Sequence, residues 1–161
     1  MTKYRPTKLD KYFIDIANST RASSKDTSSK IGVVIVDSEG LLISTGYNRF
    51  PIGVRVLKNR LERPLKYQYT CHAEVDAICK AAKHGISTRN ATLYLVGMGP
   101  PTAPCIDCSK TIIQSGIKKV IGAYFKPLPE HWDKNCNDAL DMLNEAGVTF
   151  HEYGDLEKLL K

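Results

Sequence analysis

Residues 91–124 read ATLYLVGMGPPTAPCIDCSKTIIQSGIKKVIGAY and place a strand, a loop, a helix and a second strand in succession. Ala91–Gly97 is an apolar run that predicts a strand, and Lys118–Tyr124 is another. Between them, residues 97–104 hold two Gly and three Pro, which is typical of a rigid irregular loop. Pro104 suits the start of a helix, which we expect to continue to Ser115 before Gly116. The stretch therefore predicts a strand–helix–strand unit of an α/β protein.

The chain before this unit predicts a helix and a hairpin. Thr70 is a candidate N-cap for a helix from about Cys71 to His84, closed by Gly85. Further back, the β-branched run Ile31–Val36, a turn at residues 37–40 and the run Leu41–Tyr47 are the pattern of a β-hairpin. Residues 48–69 hold two prolines and little periodicity, so we expect a long loop, which in compact domains is usually functional.

The two ends of the chain complete the predicted fold. Apolar residues at helical spacing predict a helix over Lys8–Ser19 and another over Asn135–Ala146. A strand over Val148–Tyr153 and a short helix over Asp155–Leu160 are expected after the latter. We therefore predict one domain over residues 1–161, a three-layer αβα sandwich with a mixed five-stranded sheet and helices on both faces.

Composition bounds the possible function. The 161 residues are enough for one domain with a real core, and the five cysteines are an odd number at irregular spacing, which does not suggest a disulfide framework. The first five residues carry no apolar leader and no run approaches a membrane span, so we expect a cytoplasmic protein without membrane contact.

Charge is unevenly distributed along the chain. Residues 1–66 carry 13 Lys and Arg against 6 Asp and Glu, within a total formal charge of +6. These basic residues are candidates for contact with an anionic substrate, a phosphate effector or nucleic acid, or for an ordinary solvated surface. The basic residues in question are Lys25, Lys30, Arg49, Arg55, Lys58, Arg60, Arg63 and Lys66.

Two short runs, His72-Ala73-Glu74 and Pro104-Cys105-Ile106-Asp107-Cys108, carry the residues of a metal site. A Cys-x-x-Cys alone fits a redox pair or half of a structural zinc site, and His-x-Glu alone means little. Together they supply one imidazole, two thiols and one acid, so three ligands leave a coordination position open, as in catalytic rather than structural zinc sites. His-x-Glu followed by Pro-Cys-x-x-Cys is the pattern of zinc deaminases that act on cytosine or adenine.

At these residues the chain resembles the cytidine deaminase superfamily, and more narrowly the deoxycytidylate deaminases. The similarity covers roughly residues 5–153, including the segments 24–27, 31–33, 46–48, 66–74, 112–117 and 146–150. It implies the αβα fold, a zinc cofactor, a nucleotide substrate and a homo-oligomer, either a hexamer or a dimer. It also implies that the backbone amide of Ala73 lies near the pyrimidine O2 and that Asn48 lies near the sugar.

Three segments depart from the family pattern. The approach to Cys105 over residues 96–104 is longer than in the family and lacks its Phe. Arg49 replaces a common Gly, and residues 53–55 lack the Cys and acidic residues associated with triphosphate control. A Tyr and Asp phosphate motif is not evident at residues 124–127, so we take Lys25, Arg49 and Arg55 as candidates for binding phosphate.

The residues and the resemblance together predict hydrolytic deamination of dCMP to dUMP. His72, Cys105 and Cys108 are the expected zinc ligands, and Glu74 is the expected catalytic acid and base. The alternative substrates are a modified cytosine nucleotide, a free nucleoside or another aminated heterocycle. A nucleic-acid-editing deaminase is disfavoured because aromatic and basic residues are not interleaved along the chain. The last alternative is a structural zinc module without catalysis, in which Glu74→Gln would change no measurable property.

Overall fold

A computed structural model describes residues 4–97, 103–125 and 133–156. The elements follow one another along the chain as helices (α), strands (β) and one 3₁₀ turn. They are α1 Lys8–Arg21, β1 Gly32–Val36, β2 Leu42–Tyr47, the 3₁₀ turn Lys58–Leu61, α2 Leu65–Tyr69, α3 Ala73–Lys83, β3 Thr92–Gly97, α4 Ile106–Gln114, β4 Lys119–Tyr124, α5 Asp133–Glu145 and β5 Thr149–Asp155.

The five strands form one mixed sheet in the order β2-β1-β3-β4-β5. Strand β1 pairs antiparallel with both β2 and β3, whereas β3, β4 and β5 run parallel. The parallel pairs are joined by α4 and α5, as the long connections between parallel strands require. The predicted hairpin and mixed five-stranded sheet are therefore confirmed.

Each face of the sheet has its own apolar core. Val33 and Ile35 of β1 pack with side chains of α3, α4 and α5, while Val34 and Val36 pack with α1. Successive residues of a strand point to opposite faces, so a fully buried strand such as β1 must be apolar throughout. Helices cover both faces, and the predicted three-layer αβα arrangement is confirmed.

Close backbone approach fixes α3 against β2. A Cβ atom placed on Gly46 would overlap the carbonyl oxygen of Ala73 and lie 2.6 Å from the Ala77 nitrogen. Only glycine leaves room for this contact. The Ser44 hydroxyl donates a hydrogen bond to the Ala77 carbonyl at 2.8 Å nearby, so β2 sets the position of the first turns of α3.

Two local predictions were wrong at the start of α3 and before it. Helix α3 begins at Ala73 with His72 as its N-cap, not at Cys71 with Thr70 as the cap. Cys71 instead exchanges backbone hydrogen bonds with Arg49, which holds it in an extended conformation. The predicted loop over residues 48–69 contains the 3₁₀ turn and α2, which are too short to give a clear helical periodicity.

The C-terminal prediction is partly replaced. Strand β5 extends to Asp155, two residues beyond the predicted end, and Leu156 is the first helical residue after it. Residues 157–160 of the predicted last helix lie outside the described residues, as do positions 98–102 of the long approach to Cys105. Among the residues that the structure describes, no helix has the length and apolar character needed to cross a bilayer.

Candidate active site

Two helix N-termini meet at the candidate site. His72 is the N-cap of α3 and Cys105 is the N-cap of α4, and both have extended backbone angles. Cys108 lies one turn into α4 and is buried, whereas His72 is exposed. The sequence thus places each ligand candidate at or near the first turn of a helix, with one side of the group open.

The three ligand atoms are close enough to share one ion. The Nδ1 atom of His72 lies 3.4 Å from the Cys105 Sγ and 3.3 Å from the Cys108 Sγ. All three atoms lie within 4.8 Å of one another. Zinc bond lengths of about 2.1 Å to nitrogen and about 2.3 Å to sulfur place tetrahedral N and S ligands about 3.5 Å apart. The observed spacing therefore fits zinc.

The protonation of this group also suits a cation. A hydrogen bond from Cys108, followed by the influence of His72, lowers the pKa of Cys105 to about 4 despite the opposing effect of burial. The Cys105 sulfur in turn raises the pKa of His72 to about 9. The hydrogen bond between Cys108 and Cys105, together with burial, raises the pKa of Cys108. The three groups compete for protons that a bound cation would displace, since zinc ligands must be deprotonated.

Glu74 lies in the first turn of α3 beside the three ligand candidates. Its side chain is buried, with 5 % of the residue exposed. Burial and the negative charge of Cys105 raise the pKa of its carboxyl group, and the charge of His72 opposes this shift. A raised pKa lets a carboxyl group hold a proton more readily than it does in water, which suits a group that must both accept and donate a proton in general acid–base catalysis.

A cavity of about 330 Å³ opens onto the group. His72, Glu74 and Cys105 contribute to its wall together with Ala73, Asn48 and Cys136. Its volume falls at the lower end of the range for small-molecule sites.

A buried ion pair forms the polar wall of this cavity. The Lys66 ammonium lies 2.8 Å from the Asp26 carboxylate, and it also contacts the Ser28 hydroxyl. Asn48 donates to Asp26 at 3.2 Å and to the Ser29 carbonyl at 2.8 Å. These contacts tie the loop before β1 to α2.

Asn48 therefore has a structural role in addition to the one that the resemblance implies. Its Oδ1 atom accepts a hydrogen bond from the Ile31 amide at 2.9 Å. A carbonyl oxygen has two lone pairs, so this atom can still accept from a sugar hydroxyl.

The phosphate candidates from the sequence fall outside this cavity. Lys25 and Arg49 line a neighbouring cavity of about 250 Å³, where the Arg49 guanidinium donates to the Phe50 carbonyl at 3.2 Å. Arg55 lines neither of the two cavities.

Arg63 and Lys66 line the catalytic cavity; the sequence analysis included both among the basic residues that could contact an anion but did not choose either for phosphate. Lys66 belongs to the same continuous segment as His72 and Glu74, and that proximity along the chain was the available signal. Arg63 lies in a stretch predicted as loop, where no pattern indicated its direction.

Comparisons with known proteins agree with this geometry. The family model for the cytidine and deoxycytidylate deaminase zinc-binding region matches residues 7–124. The deoxycytidylate deaminase of Homo sapiens is 35% identical over 150 residues, covering 88% of this chain and 78% of the relative. The deoxycytidylate deaminase of Enterobacteria phage T4 is 30% identical, with 84% of each chain covered.

A solved structure is also similar. The dCMP deaminase of the cyanophage S-TIM5 in complex with dCMP and dUMP matches with a TM-score of 0.71 and 25% identity, covering 92% of this chain and 99% of the other. Its apo form matches with a TM-score of 0.68 and 26% identity.

Proposed function

Because the chain belongs to the family of cytidine and deoxycytidylate deaminases, we propose that it is a zinc-dependent enzyme that hydrolyses dCMP to dUMP and ammonia. The observation that carries the proposal is the meeting of the His72 Nδ1 atom and two thiol sulfurs beside the buried Glu74 at one cavity. The relatives named as deoxycytidylate deaminases and the structure solved with dCMP and dUMP support the choice of substrate.

His72, Cys105 and Cys108 would hold the zinc ion. A bound zinc ion supplies Lewis acidity, which makes a water molecule easier to deprotonate. Two thiolates already balance the charge of the ion, so a carboxylate has to assist in removing the proton. Of the two described carboxylates that line the cavity, Asp26 is paired with Lys66, and Glu74 lies beside the ligands.

Glu74 moves the protons in this mechanism. It takes a proton from water and passes it to ring N3 as the water oxygen attacks C4; it then takes the second proton, from the new C4 hydroxyl, and gives it to the amino group, which leaves as ammonia. One water is consumed, the C4–N bond breaks and the C4–O bond forms. The raised pKa of Glu74 in its buried position favours both halves of this cycle.

The remaining groups position the substrate. We assign the Ala73 amide to the pyrimidine O2 and the second lone pair of the Asn48 Oδ1 to a sugar hydroxyl, as the family resemblance implies. For the 5′-phosphate we favour Arg63, because Lys66 is already paired with Asp26. Within the described residues Arg63 lies in no ion pair, and its guanidinium rests 5.5 Å above the Tyr67 ring. Lys25, Arg49 and Arg55 are the rival candidates.

The decisive experiment compares substrates on the zinc-loaded protein. Ammonia release is followed with cytidine, deoxycytidine, dCMP and 5-methyl-dCMP. We expect turnover of dCMP, little turnover of the nucleosides, and no turnover by Glu74→Gln at unchanged zinc content. Chelation should abolish activity and zinc should restore it. Activity that survives in Glu74→Gln would refute the mechanism, and turnover confined to 5-methyl-dCMP or to nucleosides would refute the substrate.

A homo-oligomer, a hexamer or a dimer, is the assembly that the family resemblance supports. Leu41 and Leu42 at the edge strand β2 and Leu9 and Tyr12 on α1 are exposed apolar side chains, which suits a covered surface. Light scattering during gel filtration measures the assembly. We place the protein in the cytoplasm, where cysteines remain available as thiolates.

A further inference from the structure

Helix α4 begins at a residue that does not cap it. N-cap positions are usually filled by Ser, Thr, Asp or Asn, whose oxygen accepts from an amide of the first turn. Here the N-cap is Cys105, and its side chain makes no capping hydrogen bond. Its sulfur faces His72 instead. The amides at the start of α4 therefore need an acceptor from elsewhere.

That acceptor comes from another helix. The Ile106 amide donates a hydrogen bond of 3.2 Å to the Oδ1 atom of Asn135, 29 residues later at the start of α5. The next residue, Cys136, is buried and lines the catalytic cavity. The start of α5 is thus docked against the end of α4 that carries the thiols.

This hydrogen bond acts on the ligand through one peptide group. The Ile106 nitrogen is bonded to the Cys105 carbonyl carbon, so a fixed N–H direction fixes the peptide plane that follows Cys105. It thereby helps to hold the ψ angle of Cys105 at 166° and the direction of its Cα–Cβ bond. A ligand held in place loses less freedom when the metal binds.

We propose that Asn135 is a positioning residue for the metal ligand Cys105. The inference rests on the proposed zinc site and adds a residue outside the ligand set. Groups that orient metal ligands typically contribute about 10- to 100-fold to metal affinity or activity. Losing the Asn135 amide should therefore weaken zinc binding by a factor in that range.

The test measures zinc affinity by competition with a chromophoric chelator. Asn135→Ala removes the acceptor, Asn135→Asp keeps a carboxyl oxygen in its place, and Asn137→Ala is the matched control at an exposed position of the same helix. We expect about 10- to 100-fold weaker zinc binding for Asn135→Ala, most of the affinity kept by Asn135→Asp, and no change for Asn137→Ala.

A second readout separates positioning from helix stability. Cobalt in place of zinc gives a visible spectrum that reports the ligand geometry of the folded protein. A positioning role predicts an altered spectrum for Asn135→Ala and an unaltered one for Asn137→Ala. If Asn135→Ala does not fold, Asn135→Gln, which shifts the amide by one methylene group, is expected to show the same losses.

The outcomes distinguish this inference from the proposed function. A wild-type chain that binds no zinc refutes the metal site and the inference with it. A wild-type chain that binds zinc, with Asn135→Ala or its folded substitute Asn135→Gln binding it equally well, overturns the inference alone. Equal losses in Asn135→Ala and Asn135→Asp also overturn it, because the acceptor would not be what matters.

Discussion

Replacing Lys66 by Met should destabilise the protein strongly. The Lys66 ammonium and the Asp26 carboxylate are 2.8 Å apart, and their side chains are only 10% and 7% exposed. Removing one partner of such a pair leaves a buried charge uncompensated, which costs about 3–5 kcal/mol. Asp26 keeps hydrogen bonds from the amides of Ser28 and Ser29 at 2.8 and 3.0 Å, so we expect the lower end, about 3 kcal/mol.

Urea unfolding of the wild type, Lys66→Met, Asp26→Asn and the double variant measures this cost and its origin. A loss of about 3 kcal/mol corresponds to a fall in Tm of roughly 6–12 °C for a chain of this length. The double variant should be more stable than Lys66→Met, because the stranded charge is gone. A loss below about 1 kcal/mol, the level of an exposed pair, or a double variant as unstable as the sum of the two changes, would refute the argument.

The same pair predicts a dependence on pH. Burial acts to raise the pKa of Asp26, but the hydrogen bonds from Lys66 and from the backbone of Ser28 and Ser29 lower it overall. A carboxyl group with a lowered pKa stabilises the fold above its unfolded pKa of about 3.9, and this stabilisation is lost as the pH falls below that value. The stability difference between wild type and Asp26→Asn should therefore shrink below about pH 4. Zinc release in acid affects both proteins and cancels in the difference.

Three further changes test other parts of the site. Arg63→Leu should raise the KM for dCMP by roughly 10-fold or more, which is the effect of losing a charged hydrogen bond, and should leave deoxycytidine turnover unchanged. Arg55→Leu should alter neither quantity. The opposite pattern would favour Arg55 as the phosphate ligand. Ser109→Ala should raise the free energy of unfolding by about 1 kcal/mol, because the hydroxyl is fully buried without a partner among the described residues; a loss of stability in urea would contradict this. Gly46→Ala should cost about 1–3 kcal/mol and lower turnover, because its Cβ would overlap the backbone of α3; unchanged unfolding and kinetics would show that α3 moves freely.

Hydrophobic periodicity was sufficient to predict the sheet. Strand β1 is apolar at every position and is buried on both faces, so its type follows from the local pattern, and its pairing with β2 follows from the short turn between them. The helices that join the parallel strands were also predicted to within a few residues. Where the prediction failed, at Cys71 and in residues 48–69, backbone pairing with Arg49 and short turns replaced the regular pattern.

The ligand candidates could be predicted from their spacing, but the groups around them could not. Three ligands and an acid have a fixed chemical requirement, so their residue types and order carry the information. Lys66 meets Asp26 across 40 residues and Asn135 meets Ile106 across 29. Such contacts depend on how separate elements pack, and single residues such as Asn or Lys occur at many other positions for other reasons.

The position of the ligands at helix N-caps has an electrostatic consequence. The N-terminus of a helix carries unpaired amides and a partial positive charge of about half a unit. Both α3 and α4 begin at the candidate metal group, with His72 and Cys105 as their N-caps. Their combined field favours thiolate ligands. At Cys105 the pKa is lowered by the hydrogen bond from the Cys108 side chain, by His72 and by the backbone amide of Cys108, which belongs to the first turn of α4.

The use of N-cap residues as metal ligands has a cost for helix stability. A helix whose N-cap side chain is committed to a metal loses its local acceptor, and α4 recovers one from Asn135. The structure gives α3 no side-chain cap either, but β2 lies against its first turn at Gly46. In both helices the support therefore comes from a neighbouring element, and the metal group can form only when the sheet and α5 are in place. Zinc binding and folding should accordingly be coupled, so that added zinc raises the Tm while Asn135→Ala reduces that rise.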